Sequence, residues 1–362
     1  MRTKSAIFYA AHEPIRVEEV ELDPPQHREL LVRVAATGAC HSDYHAVDGH
    51  LTMSTSFVMG HEGAGVVEGL GPGVSGFEPG DHVVFAIRPM CGWCEYCSSG
   101  RPNLCNGITA PPGRRVDGKT RFHTLDGDPV LHGAATFSQY TVVPEWELVK
   151  VTDAVPIERL ASLGCAVTTG VGAVVRTAQV HAGATVAVWG CGGVGLNVVQ
   201  GAAIAGASRI IAIDLAPRKL EFATQFGATD TINASDVDPV EAVRDLTGGG
   251  VEYAFEVIGK APSVRQAFEA TRPGGTACAV GVPPTGSEVS IPMEPLFLDR
   301  RLIGSSSGSA SPRVDFPWFI ELYQQGRLKL DELYSRFRPL DEINEAFEDM
   351  LSGEVARSII LP

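Results

Sequence analysis

From Thr185 onward the chain alternates apolar, β-branched runs with helix-like stretches, and that alternation constrains its fold more than any other feature. The order is TVAVWG, VGLNVVQGAAIAGA, RIIAID and PRKLEFATQFG, then TDTIN, PVEAVRDLTG, VEYAFEVIG, SVRQAFEATR, GTACAVG and RLIGSS. Short, near-continuous apolar runs suit strands buried on both faces. Right-handed crossovers through the intervening helices then set the strands parallel, so the expected class is α/β with a doubly wound parallel sheet.

The turn after the first of these strands reads Gly190-Cys191-Gly192-Gly193-Val194-Gly195, a GxGxxG pattern. The first glycine allows the tight turn, the second lets a pyrophosphate approach the backbone, and the third lets helix and strand touch. The helix that starts there turns its free N–H groups and positive dipole end toward phosphate. The next strand ends in Asp214, 19 residues past Gly195. A carboxylate in that place bonds ribose hydroxyls and repels a 2′-phosphate, which points to NAD rather than NADP. The competing reading is a glycine-rich turn followed by a solvent-facing Asp. Lys219 and its neighbour Arg218 either reach the adenosine ribose or belong to a solvated helix face.

Residues 1–165 follow another pattern, with short β-type runs such as LLVRVAATG and DHVVFAI between Gly/Pro/Asp turns. An irregular, mostly antiparallel barrel-like domain is expected there. The small apolar residues of Ile157–Thr177 suggest a helical bridge into the sheet domain. A Pro312-started helix, VDFPWFIELYQQG, and a last strand, ARSIILP, close the chain. The expected bounds are a first domain over 1–166 with a cysteine-rich lobe at 88–106, a dinucleotide domain over 167–307, and a closing segment over 308–362.

A formal charge of −14 repels phosphate backbones and anionic lipid, so neither nucleic acid nor a membrane surface is an expected partner. The N-terminus is broken by His12, Glu13 and Arg16 and does not read as a secretory signal, so a cytoplasmic location is expected. Ala182–Ser208 carries no charge and has the length of a membrane span, but its seven glycines and β-branched start favour a buried strand turning into a helix.

Four of the eight cysteines lie within 15 residues, as Cys91-x2-Cys94-x2-Cys97-x7-Cys105. Four thiolates so spaced close a tetrahedral sphere around zinc, leave no open position, and make that metal structural. Two disulfides are the alternative, but CxxC pairs bridge poorly and nothing suggests an oxidising compartment. A second set is dispersed: Cys40 in GACHSDYH and His61 in GHEGAG, with Glu62 beside it. A catalytic zinc takes three protein ligands and keeps one position open. Cys165 in LGCAVTTG is the best third ligand by position, although spacing alone leaves the choice open. Cys191 and Cys278 sit in apolar strands and read as core. A lone buried Cys or His is ordinarily core too, so the case rests on the motifs together. Asp43 is placed to orient a zinc-bound histidine.

These residues resemble the zinc-containing medium-chain alcohol dehydrogenases. The resemblance runs from CHSDYH and GHEGAGVVEGLGPGV through CGWCEYCSSGRPNLC to DEINEAFEDMLSGEVARSII. It implies a GroES-like catalytic domain built from both chain ends around a central Rossmann domain. It implies two zinc ions per chain: one on Cys40, His61 and Cys165, the other on Cys91, Cys94, Cys97 and Cys105. Glu62 would stand behind the catalytic metal as a transient ligand, with Asp43 supporting His61. His41 and Arg357 would meet the pyrophosphate, and Thr169, Val280 and Val282 complete the expected cofactor contacts. The long segment containing DGKTRFHTLDGDPVLHG resembles the liver-type dimeric members, so a homodimer is expected. Other phrases resemble an actinobacterial branch in which some members hold the nicotinamide tightly and recycle it with an added acceptor.

The expected chemistry is hydride transfer between a primary alcohol carbon and NAD, in either direction. Zinc would acidify the alcohol, and Ser42 would pass its proton through the nicotinamide ribose to His45 and solvent. The plainer readings are a turn residue for Ser42 and a surface residue for His45. Family members that oxidise the glutathione adduct of formaldehyde carry acidic residues where this chain has Leu51 and Met53, and an arginine where it has Thr109. An aromatic residue of the pocket is replaced by Ile87. With Leu51 and Leu131 nearby, this favours medium-chain or aromatic primary alcohols over ethanol and polyols. The alternatives are a thiol-adduct formaldehyde or polyol dehydrogenase of the same family and, in another class, a non-catalytic nucleotide-binding protein.

Overall fold

The computed structural model describes every residue, Met1–Pro362. The chain forms two compact units. The first comprises Met1–Cys165, Ser311–Gln324 and Leu330–Pro362; the second comprises Ala166–Ala310 and Gln325–Lys329.

In the first unit, strands Arg2–Phe8, Arg16–Leu22, Phe122–His123, Pro129–His132 and Phe57–Val58 close a barrel. A seven-stranded sheet runs Leu148–Lys150, His82–Phe85, Gly63–Leu70, Glu29–Gly38, Ser358–Leu361 and Arg336–Pro339, and Tyr140–Pro144 also pairs with Glu29–Gly38. Most pairings are antiparallel, so the expected barrel-like domain is present. Its strands alternate inward and outward, as in Arg2–Phe8, where Thr3 and Ser5 are buried while Arg2 and Lys4 are exposed. Sequence reading missed the strand Arg336–Pro339 and the helix Ile343–Ser352.

The second unit holds a parallel sheet of six strands: Asp230–Asn233, Arg209–Asp214, Thr185–Trp189, Val251–Glu256, Thr271–Ala279 and Arg301–Gly304. Numbered along the chain their order is 3-2-1-4-5-6, the doubly wound arrangement expected of the alternating pattern. Trp189, Ile211, Ile213, Ala254 and Phe268 belong to one buried cluster beneath it. Truncating Phe268 to Ala there costs about 3–5 kcal/mol. The helices have readable ends: Asp238 accepts from the amides of Val240 and Glu241, Pro239 opens the helix, and Gly248 ends it in the left-handed region.

No single helix is long and apolar enough to cross a membrane. The charge-free stretch Ala182–Ser208 is divided between the strand Thr185–Trp189 and the helix Gly193–Ile204.

Candidate active site and metal centres

Strands Glu29–Gly38 and Gly63–Leu70 are antiparallel neighbours, with Thr37 opposite Gly63 and the Gly38 amide donating to the Glu62 carbonyl at 2.7 Å. The chain leaving the first strand and the chain entering the second therefore meet, and these segments carry Cys40 and His61. Gly60 has φ +93, and a Cβ there would stand 2.4 Å from the Phe137 backbone nitrogen, so only glycine delivers His61 in this way. Cys165 arrives at the end of the 3-10 run Ile157–Gly164. The candidate ligand atoms of Cys40, His61 and Cys165 all lie within 4.8 Å of one another. Cys40 and Cys165 are each 4% exposed.

Asp43, also buried, has Oδ1 3.0 Å from Nδ1 of His61. The other ring nitrogen, Nε2, is buried and makes no hydrogen bond. Cys40 is held well below its ordinary thiol value, first by Cys165 and then, against the cost of burial, by His61. Burial disfavours a charged His61, but Asp43 and Cys40 outweigh it and raise the group to about 10. Burial raises Asp43, with His61 opposing. Two thiol groups, an unsatisfied imidazole nitrogen and a supporting carboxylate fit a zinc ion with one position to spare. Glu62 is completely buried and paired with Arg357. Glu62 was expected behind the metal and Arg357 at the pyrophosphate; the two pair with each other, which sequence reading did not foresee.

The four-cysteine loop is a different object. Sγ of Cys91 lies 3.8 Å from Sγ of Cys97, and Sγ of Cys94 lies 3.8 Å from Sγ of Cys105. A tetrahedron with Zn–S bonds of about 2.3 Å has edges of about 3.8 Å. Amides of Trp93 and Cys94 donate to the Cys91 sulfur, and the amide of Cys91 donates to that of Cys105. Backbone donors, Cys97 first, lower Cys94 to about 6, whereas burial pushes Cys97 up to about 12. None of the eight cysteines forms a disulfide. This set fits a closed structural zinc.

In the second unit, Gly190 has φ +92, and a Cβ on Gly195 would stand 1.8 Å from the Gly190 carbonyl, so the turn and helix can meet only with glycine there. A Cβ on Gly192 would meet nothing within 4 Å, which leaves the approach a pyrophosphate needs. The amides of Gly193, Val194 and Gly195 belong to the helical turn that has no internal acceptors. Asp214 Oδ2 accepts from the Cys191 amide at 2.8 Å, and Oδ1 accepts from those of Leu215 and Ala216. Arg218 is bonded to Glu221 and lies over Phe222, as a solvated helix face would have it, whereas Lys219 is half-buried. Thr169 lies on the helix Ala166–Gly172 of this unit, and Val280 and Val282 follow the end of the strand Thr271–Ala279. Burial raises Cys191 and pushes Cys278 up to about 12, as expected of core thiols.

The description "Alcohol dehydrogenase GroES-like domain" matches residues 26–153, and "Zinc-binding dehydrogenase" matches residues 193–325. The chain is 40% identical to S-(hydroxymethyl)glutathione dehydrogenase of Saccharomyces cerevisiae, over 98% of this chain and 95% of the relative. The chain belongs to the zinc-containing medium-chain alcohol dehydrogenases. It is also 40% identical to S-(hydroxymethyl)glutathione dehydrogenase of Paracoccus denitrificans over the whole of both chains. The crystal structure of benzyl alcohol dehydrogenase from Acinetobacter calcoaceticus superposes with a TM-score of 0.94 at 34% identity, covering 100% of this chain and 99% of the other. The protein is thus a zinc-dependent oxidoreductase of a family that typically uses NAD, and the non-catalytic alternative falls away.

The helix His41–Val47 carries His41, Ser42 and His45. His41 is exposed, while Ser42 and His45 are half-buried three residues apart, on one helical face. Ile87 is tied beside the metal ligands through its amide, which donates to the carbonyl of Gly164 at 3.3 Å. Sequence reading passed over Asp48 and His50. Both stand against His45, and the signal was there in the spacing of HAVDGH after a short helix.

Proposed function

We propose that this enzyme oxidises the S-(hydroxymethyl) adduct that formaldehyde forms with a small thiol. The observation that carries the reading is the 40% identity, along essentially the full length of both chains, to two dehydrogenases named for that substrate. The net reaction converts R–S–CH₂OH and NAD⁺ to R–S–CHO, NADH and a proton.

When bound, zinc polarises the substrate hydroxyl as a Lewis acid, and NAD accepts the hydride. Cys40, His61 and Cys165 are the residues that hold the metal. Asp43 fixes the His61 ring so that Nε2 faces it. The Ser42 hydroxyl takes the substrate proton and His45, which is partly exposed, returns it to solvent. Glu62 is neutralised by Arg357 behind the ligands, which limits the cost of its complete burial. In the other unit the Gly190–Gly195 turn receives the pyrophosphate and Asp214 selects the unphosphorylated ribose.

The test compares kcat/KM for formaldehyde premixed with glutathione or another small thiol against kcat/KM for benzyl alcohol and straight-chain alcohols, all with NAD. The adduct should win by about tenfold or more, a difference of about 1.4 kcal/mol in transition-state binding. Formaldehyde oxidation indifferent to every thiol would overturn the reading.

A second reading has its own support. Leu51, Met53 and Thr109 replace the charged residues of the thiol-adduct enzymes, and the benzyl alcohol dehydrogenase is a close structural relative. On that reading aromatic or medium-chain primary alcohols lead the same panel, and Ile87→Phe returns the preference to small alcohols.

We also propose a homodimer. The edge strand Arg301–Gly304 is preceded by Met293 and Phe297, which are 82% and 94% exposed. Such an edge calls for a partner. Light scattering that gives a monomer mass would refute this.

A further inference from the structure

The helix His41–Val47 ends at Asp48, and Gly49, with φ +78, turns the chain back so that His50 returns over His45. The amide of His50 donates to Oδ1 of Asp48 at 3.0 Å, which aims the other carboxylate oxygen at both imidazoles. Oδ2 lies 2.6 Å from Nδ1 of His50 and 3.5 Å from Nδ1 of His45. The two rings meet edge to face, 5.5 Å apart. Nδ1 of His45 is buried and makes no hydrogen bond. One ligand atom from each of the three side chains lies within 4.8 Å of the other two.

We propose that His45, Asp48 and His50 form a third metal site, which takes a divalent transition cation such as Zn²⁺. Two imidazoles and one carboxylate match borderline cations rather than Ca²⁺ or Mg²⁺, which prefer all-oxygen shells. The cation supplies the partner that Nδ1 of His45 lacks, and it takes the place of the direct contact between Asp48 and Nδ1 of His50. Water completes the coordination. With His50 exposed and the other two only half-buried, the site binds more weakly than the two resident zincs and empties on dialysis. Its consequence rests on the relay assigned to His45 above: a ring whose nitrogen is taken by a cation no longer carries the substrate proton, so excess zinc inhibits reversibly.

The test uses the holoenzyme with both resident zincs and titrates Zn²⁺, which leaves those sites chemically unchanged. Calorimetry should show one further equivalent per chain, with turnover falling over the same concentration range and recovering on chelation of the excess. His50→Gln, at an exposed position outside the catalytic machinery, should keep its turnover in zinc-free buffer while its zinc affinity falls about tenfold or more. No further equivalent, or one that His50→Gln binds as tightly as the parent, overturns the site. A further equivalent lost in His50→Gln but without inhibition supports the site and overturns the relay role of His45.

Discussion

Asp43 places Oδ1 3.0 Å from Nδ1 of His61, and that contact decides which ring nitrogen faces Cys40 and Cys165. Without it the ring is free to turn, and the ligand set loses its one nitrogen donor. Asp43→Asn keeps the shape but not the charge, so catalytic-site zinc affinity should fall about 10–100-fold with little change in melting temperature. Competition with a chelator of known affinity measures this. Zinc retention equal to the parent's would remove Asp43 from its role.

Cys94→Ser acts on the other metal. The loop around Cys91, Cys94, Cys97 and Cys105 is held by sulfur contacts and a few amides, so the absent thiolate should release its zinc and lower the melting temperature clearly. Scanning calorimetry beside metal analysis checks it. Loss of turnover with an unchanged melting profile would contradict a structural assignment.

Asp214 is proposed to set cofactor choice through charge. The parent should prefer NAD to NADP strongly, and Asp214→Gly should narrow that ratio by about tenfold or more, mainly through KM for NADP. Equal use of the two cofactors by the parent would refute the assignment. A drop in both activities with the ratio preserved would show that the carboxylate serves only the turn, where it accepts from Cys191, Leu215 and Ala216.

Asp349 ties the C-terminal strands together through Arg336 and Arg338, with Oδ2 2.6 Å from Nε of Arg338. Arg338 first, opposed by burial, holds its carboxyl below the usual value. A depressed folded value means the native state binds fewer protons, so this stability is present above the unfolded value of about 3.9 and is lost as pH falls through the folded value. Asp349→Asn should therefore cost about 1–3 kcal/mol at neutral pH, and the gap should narrow progressively as pH falls below about 3.9 and through the lowered folded value. Urea unfolding across that range tests it, and a gap that persists unchanged in acid contradicts the linkage.

The parallel sheet was legible because each strand is a run of buried apolar residues between helix signals, and the cysteine loop because four ligands fall so close in sequence. The strand Arg336–Pro339 was not, since an edge position leaves Arg336, Phe337 and Pro339 exposed and erases any pattern. The helix Ile343–Ser352 does carry helical spacing in Ile343, Ala346 and Phe347, yet it is short and highly charged. The catalytic zinc set came from motif resemblance and position, because only the strand pairing of Thr37 with Gly63 brings Cys40 to His61. Pairing of Glu62 with Arg357 joins residues far apart in sequence, and the His45, Asp48 and His50 cluster depends on one turn at Gly49.

Zinc content of dialysed protein, measured for the parent and for Cys40→Ser, bears most directly on the two-metal assignment. The parent should hold two equivalents per chain. Cys40→Ser should hold one, unfold close to the parent's melting temperature, and have no measurable turnover, because the loop metal supports the fold while the other metal serves the chemistry. Two equivalents retained by Cys40→Ser with most of its activity, or a parent that saturates at one, would contradict it.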